Sequence, residues 1–189
     1  MRTLFNIKIP TSTDKEIRKI KRKHEAPTLH GNKVWDSTLL MMDFLSRYNL
    51  SKHETALDIG CGWGVLMTYM QRQGMDVVGI EKDINVQPFV EAVAKMNKQS
   101  LDVFYEDYLD IPNHGWKHPH LITGCDICYW EEHVHNLLNM VKHATGTILI
   151  ADQGRDTFWK LCKKVNGNIH DMTIKTPKKV HGYVLEIIK

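Results

Sequence analysis

At 189 residues, 42% hydrophobic and 25% charged, the chain is long enough to bury a substantial core in one domain, and its net charge of +3 is too small to imply a nucleic-acid partner. No stretch approaches the length of a membrane-spanning helix, and the opening "MRTLFNIKIPTSTDK" lacks an apolar signal core, so a soluble cytoplasmic protein with no membrane partner is expected. Cysteines at 61, 125, 128 and 162 are too scattered for a secreted disulfide framework and read as reduced thiols.

Residues 1–34 read as an N-terminal extension ahead of a domain spanning 35–189. Within it "KEIRKIKRKHE" (15–25) carries six Lys/Arg against two Glu, with Ile17 and Ile20 one turn apart. That pattern is either a solvated helix or a docking surface for an acidic protein. Five apolar, β-rich runs follow: "TALDI" (55–59), "DVVGIE" (76–81), "LDVFYE" (101–106), "HLITGCD" (120–126) and "GTILIAD" (146–152). Helical character follows them, at 64–73, 86–97, 131–144 and 155–165, with stops near Gly74 and Gly146. Strand alternating with helix predicts an α/β fold with a parallel, doubly wound sheet. The tail breaks the alternation: 170–176 and 181–189 are two strand-like runs with no room for a crossover helix, so they are expected to pair antiparallel.

The stretch "ALDIGCGWG" places Gly60, Gly62 and Gly64 directly after the first of these strands. Such a turn serves dinucleotides or S-adenosylmethionine, and the G-x-G-x-G spacing, with Val65 where a dinucleotide motif has its last glycine, favours the second. Asp58, two residues before the first glycine, would repel a pyrophosphate and attract an ammonium. Glu81, ending the second strand, suits two ribose hydroxyls, and Asp107 stands where an adenine amino group could donate to it. Three acids with no basic clamp fit a cationic sulfonium.

These residues resemble the class I, seven-strand S-adenosylmethionine-dependent methyltransferases over about residues 30–189, with "LDIGCGWG" as the glycine motif, "GIEKD" as the ribose acid and "EDYLDIP" on the adenine side. The resemblance implies a Rossmann-like sheet of order 3-2-1-4-5-7-6 with the last strand antiparallel. It implies S-adenosyl-L-methionine as cofactor, contacted by Trp35, Asp58, Gly60, Cys61, Gly62, Glu81, Lys82, Asp107, Tyr108 and Asp126. Asp126-Ile127-Cys128-Tyr129 matches the acidic-x-x-aromatic motif of a protein-lysine-modifying branch of that family, and Gly31 and Trp35 match its upstream glycine and tryptophan. "ADQGR" (151–155) is similar to a run in bacterial relatives, with Gln153 in place of proline.

That branch implies N-methylation of a lysine on a protein substrate, with Asp126 holding the amine and Tyr129 and Trp130 forming an aromatic wall. Plain cofactor contact or strand capping is the competing account of Asp126, and ordinary packing that of Trp35, Tyr129 and Trp130. A small-molecule N- or O-methyltransferase is the alternative acceptor reading; a non-catalytic cofactor-binding module and an NAD oxidoreductase are the others. Cys125-x-x-Cys128 and the histidines at 114, 118, 120, 133 and 135 lack the partners of a metal site, and no metal is expected.

Overall fold

A computed structural model of the chain describes residues 1–107, 119–175 and 177–189. Its first elements are a hairpin of β1 (Arg2–Leu4) and β2 (Ile7–Ile9), then helices α1 (Lys15–Lys23) and α2 (Asp36–Leu45). The alternating region follows as β3 (Thr55–Ile59), α3 (Val65–Arg72), β4 (Asp76–Ile80), α4 (Gln87–Asn97), β5 (Asp102–Phe104), β6 (Leu121–Cys125), α5 (Glu131–His143), β7 (Thr147–Asp152) and α6 (Asp156–Cys162). The chain ends in β8 (Asn168–Ile174) and β9 (Val180–Ile187). The predicted strand at 101–106 shrinks to three residues, and the predicted helix at 155–165 to seven.

Seven strands form one sheet in the order β5-β4-β3-β6-β7-β9-β8. Counted within the sheet this is 3-2-1-4-5-7-6, with the last strand, β9, antiparallel to both neighbours, as expected. The central strands are apolar on both faces because helices cover both: Ala56, Leu57 and Ile59 of β3 are fully buried. One face carries the core of α2, α3 and α4, and the other that of α5 and α6. Residues 1–34 join the first of these cores through Ile7, Ile9, Ile17 and Ile20, so the hydrophobic stripe of α1 is buried while its Lys and Arg side chains stay exposed.

Of the two expected glycine stops, Gly74, with φ +90°, follows the end of α3 and Gly146 lies just beyond α5; α4, for which no glycine stop is read, is capped by Lys98 in the left-handed conformation, φ +56°. Among the described residues no helix is long and apolar enough to cross a membrane.

Candidate cofactor and acceptor site

The parallel strands β3, β4, β5 and β6 all end on one edge, where open α/β sheets bind ligands. Gly60, Gly62 and Gly64 take φ values of +61°, +53° and +72° in the turn from β3 to α3, a backbone that residues with a Cβ adopt only under strain. The glycine spacing is therefore a demand of the backbone itself. It also leaves an opening, since a Cβ on Gly62 would meet nothing within 4 Å. That open side faces a cavity of about 690 Å³, inside the roughly 300–1,000 Å³ of small-molecule sites.

Glu81 holds the turn from the neighbouring strand end. Its Oε2 accepts the Gly62 N–H at 2.9 Å and its Oε1 the Asp83 N–H at 3.1 Å. A carboxylate offers about four lone-pair sites, more than the backbone donors fill. Burial nevertheless raises its pKa, the backbone donors of Asp83, Gly62 and Lys82 only partly offsetting the loss of water. Asp58 lies deeper, 2% exposed, and lines a small annex of about 40 Å³ shared with Gly60, Gly62, Lys33 and Trp35. Burial pushes its carboxyl up to about 7 against the Thr123 hydroxyl, which donates to it at 2.8 Å, and the nearby Glu81 charge adds to the rise.

Lys82 and Asp107 both line the cavity and pair with each other at 2.8 Å. The acid edge is thus not free of cations, contrary to the sequence reading. Cys61 lines the annex only; its thiol is buried and pushed up in pKa, and its N–H already donates to the Ile80 carbonyl at 3.1 Å. Tyr108, His114 and His118 lie outside the described residues. Among the described residues no group of three metal-ligating side chains occurs.

The cavity also has an aromatic wall. Tyr129, Trp130 and Trp35 line the cavity and belong to neither core, and Trp130 is 42% exposed. Packing in the core does not account for them. His30 completes the wall, stacked on Tyr129 with centroids 4.1 Å apart and edge-on to Trp35 at 6.3 Å. Its loop is pinned by three side chains: Asp83 accepts the Thr28 and Leu29 N–H groups at 2.5 and 3.2 Å, the Trp63 indole donates to the Gly31 carbonyl at 2.8 Å, and the Trp35 indole donates to the His30 carbonyl at 2.9 Å. The hydrogen bonds to Asp83 outweigh its partial burial, so its carboxyl is held below the usual range.

Asp126 closes β6 in the left-handed conformation, φ +58°, with its side chain 2% exposed. One carboxylate oxygen pairs with Arg155; the other is buried without a hydrogen-bond partner among the described residues. The same Arg155 nitrogen reaches Asp152 at 2.7 Å, and the guanidinium lies 4.5 Å from the centre of the Tyr129 ring. Asp58, Gly60, Gly62, Glu81, Asp107 and Asp126 are thus gathered around the cavity and its annex, along with Trp35, Tyr129 and Lys82. Sequence reasoning missed Arg155, Asp152 and His30. The only signal was the "ADQGR" run, which contains both Asp152 and Arg155.

These residues fit S-adenosylmethionine: a glycine turn open on its ligand side, a buried acid in an annex beside it, and an acid with spare acceptor sites at the next strand end. The sequence pattern of the mycolic acid cyclopropane synthetase family matches residues 39–119, less than half of the chain. No curated protein sequence matches it. Among solved structures, magnesium protoporphyrin IX methyltransferase from Synechocystis PCC 6803 with bound S-adenosylmethionine superposes with a TM-score of 0.60 at 13% identity, over 94% of this chain and 93% of its own. Precorrin-6y C5,15-methyltransferase from Geobacter metallireducens GS-15 gives 0.60 at 11% identity, over 88% and 94%. An O-methyltransferase family protein from Burkholderia thailandensis gives 0.61 at 11% identity over 80% of this chain, which spans only 56% of that one. The chain has the fold of the class I S-adenosylmethionine-dependent methyltransferases.

Proposed function

We propose that the chain is an S-adenosylmethionine-dependent methyltransferase whose acceptor is a lysine side chain of a protein. The observation that carries the acceptor class is that His30, Trp35, Tyr129 and Trp130 line the same cavity as the glycine turn, together with Asp126, one carboxylate oxygen of which is buried without a partner among the described residues. Aromatic faces attract an ammonium and a methylammonium alike, and a carboxylate oxygen can accept from the amine as it sheds its proton.

The cofactor supplies a methyl group made electrophilic by a sulfonium. Asp58 would hold its ammonium, Glu81 its ribose hydroxyls and Asp107 its adenine amino group, while the aromatic wall excludes competing water. The exposed Lys and Arg residues of α1 are available to an acidic substrate protein. A small-molecule acceptor is the second reading, favoured by the named substrates of the two full-length structural neighbours, a porphyrin and a corrin precursor. Incubating the chain with radiolabelled S-adenosylmethionine in a cell extract separates the two. A labelled protein band other than the 21.9 kDa chain is expected, and label confined to small molecules would replace the lysine reading.

Cofactor binding itself makes two predictions. Glu81→Ala removes the ribose acceptor and releases the Gly62 and Asp83 amides, so S-adenosylmethionine should bind about 1.5–3 kcal/mol more weakly, roughly 10- to 150-fold. Unchanged affinity by calorimetry would take Glu81 out of the site, and competition by NAD would reopen the dinucleotide reading.

The second prediction concerns protons. With its folded pKa raised to about 7 from 3.8, Asp58 keeps a proton that the unfolded chain has released, so its contribution to stability falls as pH rises between those values and levels off above them. A ligand ammonium beside Asp58 favours the charged form. Binding should therefore release protons, and affinity should tighten as pH rises from about 5.5 to about 7. The calorimetric enthalpy in buffers of different ionisation heat reads this directly; no buffer dependence would place the ammonium elsewhere.

A further inference from the structure

Lys33 already occupies the aromatic wall. Its Nζ lies 3.9 Å from the centre of the Trp35 ring, and the residue lines both the main cavity and the annex that holds Asp58, Gly60 and Gly62. Its loop is fixed on either side, by Lys21, whose Nζ donates to the Asn32 carbonyl at 3.0 Å, and by the Trp35 indole on the His30 carbonyl. Lys33 makes no ion pair among the described residues, so an ammonium on an exposed side chain is held by a ring face beside the glycine turn, with no carboxylate fixing it.

We infer that Lys33 is a methyl acceptor in its own chain, a self-methylation site read by the same cavity. The inference rests on the methyltransferase reading above. The ammonium first gives a proton to water at the cavity mouth. The neutral nitrogen then forms the N–C bond while the C–S bond breaks, its electron pair staying on sulfur, so that S-adenosylhomocysteine leaves and the methylated amine takes up the positive charge. Because the loop delivers Lys33 to its own cavity, the reaction is intramolecular.

The intact mass of the chain as purified, and after incubation with S-adenosylmethionine alone, is expected to rise by one methylene unit per methyl, on the peptide carrying Lys33. The fraction modified per unit time should be independent of protein concentration. Lys33→Arg, which keeps a cation at an exposed position, should lose that added mass. Three results overturn the inference: unmodified Lys33 in a chain that binds the cofactor by calorimetry and labels extract proteins; added mass on other lysines that persists in Lys33→Arg; or modification that speeds up with concentration. A chain that neither binds the cofactor nor labels anything would instead bring down the methyltransferase reading, and this inference with it.

Discussion

Arg155→Leu is expected to cost about 3–5 kcal/mol of folding stability, the loss found when one partner of a buried ion pair is removed. Arg155 is the cation for two carboxylates at once, and the side chains of Asp126 and Asp152 are 2% and 0% exposed. Asp152 also accepts the Gly154 and Arg155 N–H groups at 2.8 and 2.9 Å, so it cannot swing out to water without opening the turn into α6. Burial already holds its pKa above the usual range despite the arginine. Without Arg155 the Asp152 carboxyl should retain its proton to higher pH still. The deficit should then be small in acid, where that charge is absent, and grow as pH rises through its raised folded value. Urea melts of both proteins at several pH values test this. A deficit below about 1 kcal/mol, or one flat with pH, would reduce the cluster to an ordinary surface pair. Arg155→Lys should fall between, because one ammonium lacks the fork that spans two acids and the ring face of Tyr129.

That cluster also marks where the sequence stops being legible. The strands could be read because β3, β4, β6 and β7 are apolar runs closed by turn residues, and the glycine turn with Asp58 and Glu81 because each sits at a strand end fixed by its own local pattern. Asp126 and Arg155 are 29 positions apart and meet only because β6 and β7 are parallel neighbours in the register Cys125↔Ala151. No periodicity within either segment encodes that register. His30 is hidden for the same reason: its stack on Tyr129 joins segments about a hundred residues apart through a loop whose path is set by Asp83 and Trp63. The N-terminal hairpin escaped differently. Its two-residue turn uses Phe5 and Asn6, both at positive φ, where a glycine would have announced it. The order of the sheet followed from family resemblance; the alternation of strand and helix alone predicted only that the sheet was parallel.

Asp126→Asn should lower the rate of methyl transfer by about 10²–10⁴-fold, the range of a positioned proton acceptor, while leaving S-adenosylmethionine affinity nearly unchanged. The pairing with Arg155 sharpens the expectation. One oxygen of Asp126 is committed to the guanidinium, and the one without a partner is the atom left for an acceptor amine. Asparagine keeps the shape and can still meet Arg155 through its carbonyl oxygen, but its amide nitrogen is a donor and cannot accept from an amine. Stability should fall far less than in Arg155→Leu, since Asp152 continues to hold the arginine. Tyr129→Phe keeps the ring that faces both Arg155 and His30 and should be milder. Three measurements on one Asp126→Asn preparation, namely cofactor affinity, labelling of the acceptor in extract and urea stability, then assign the residue. Loss of rate alone makes Asp126 the group that orients the amine, a parallel loss of affinity makes it a cofactor ligand, and a rate preserved within a few-fold beside a lowered stability leaves it only the anchor of Arg155.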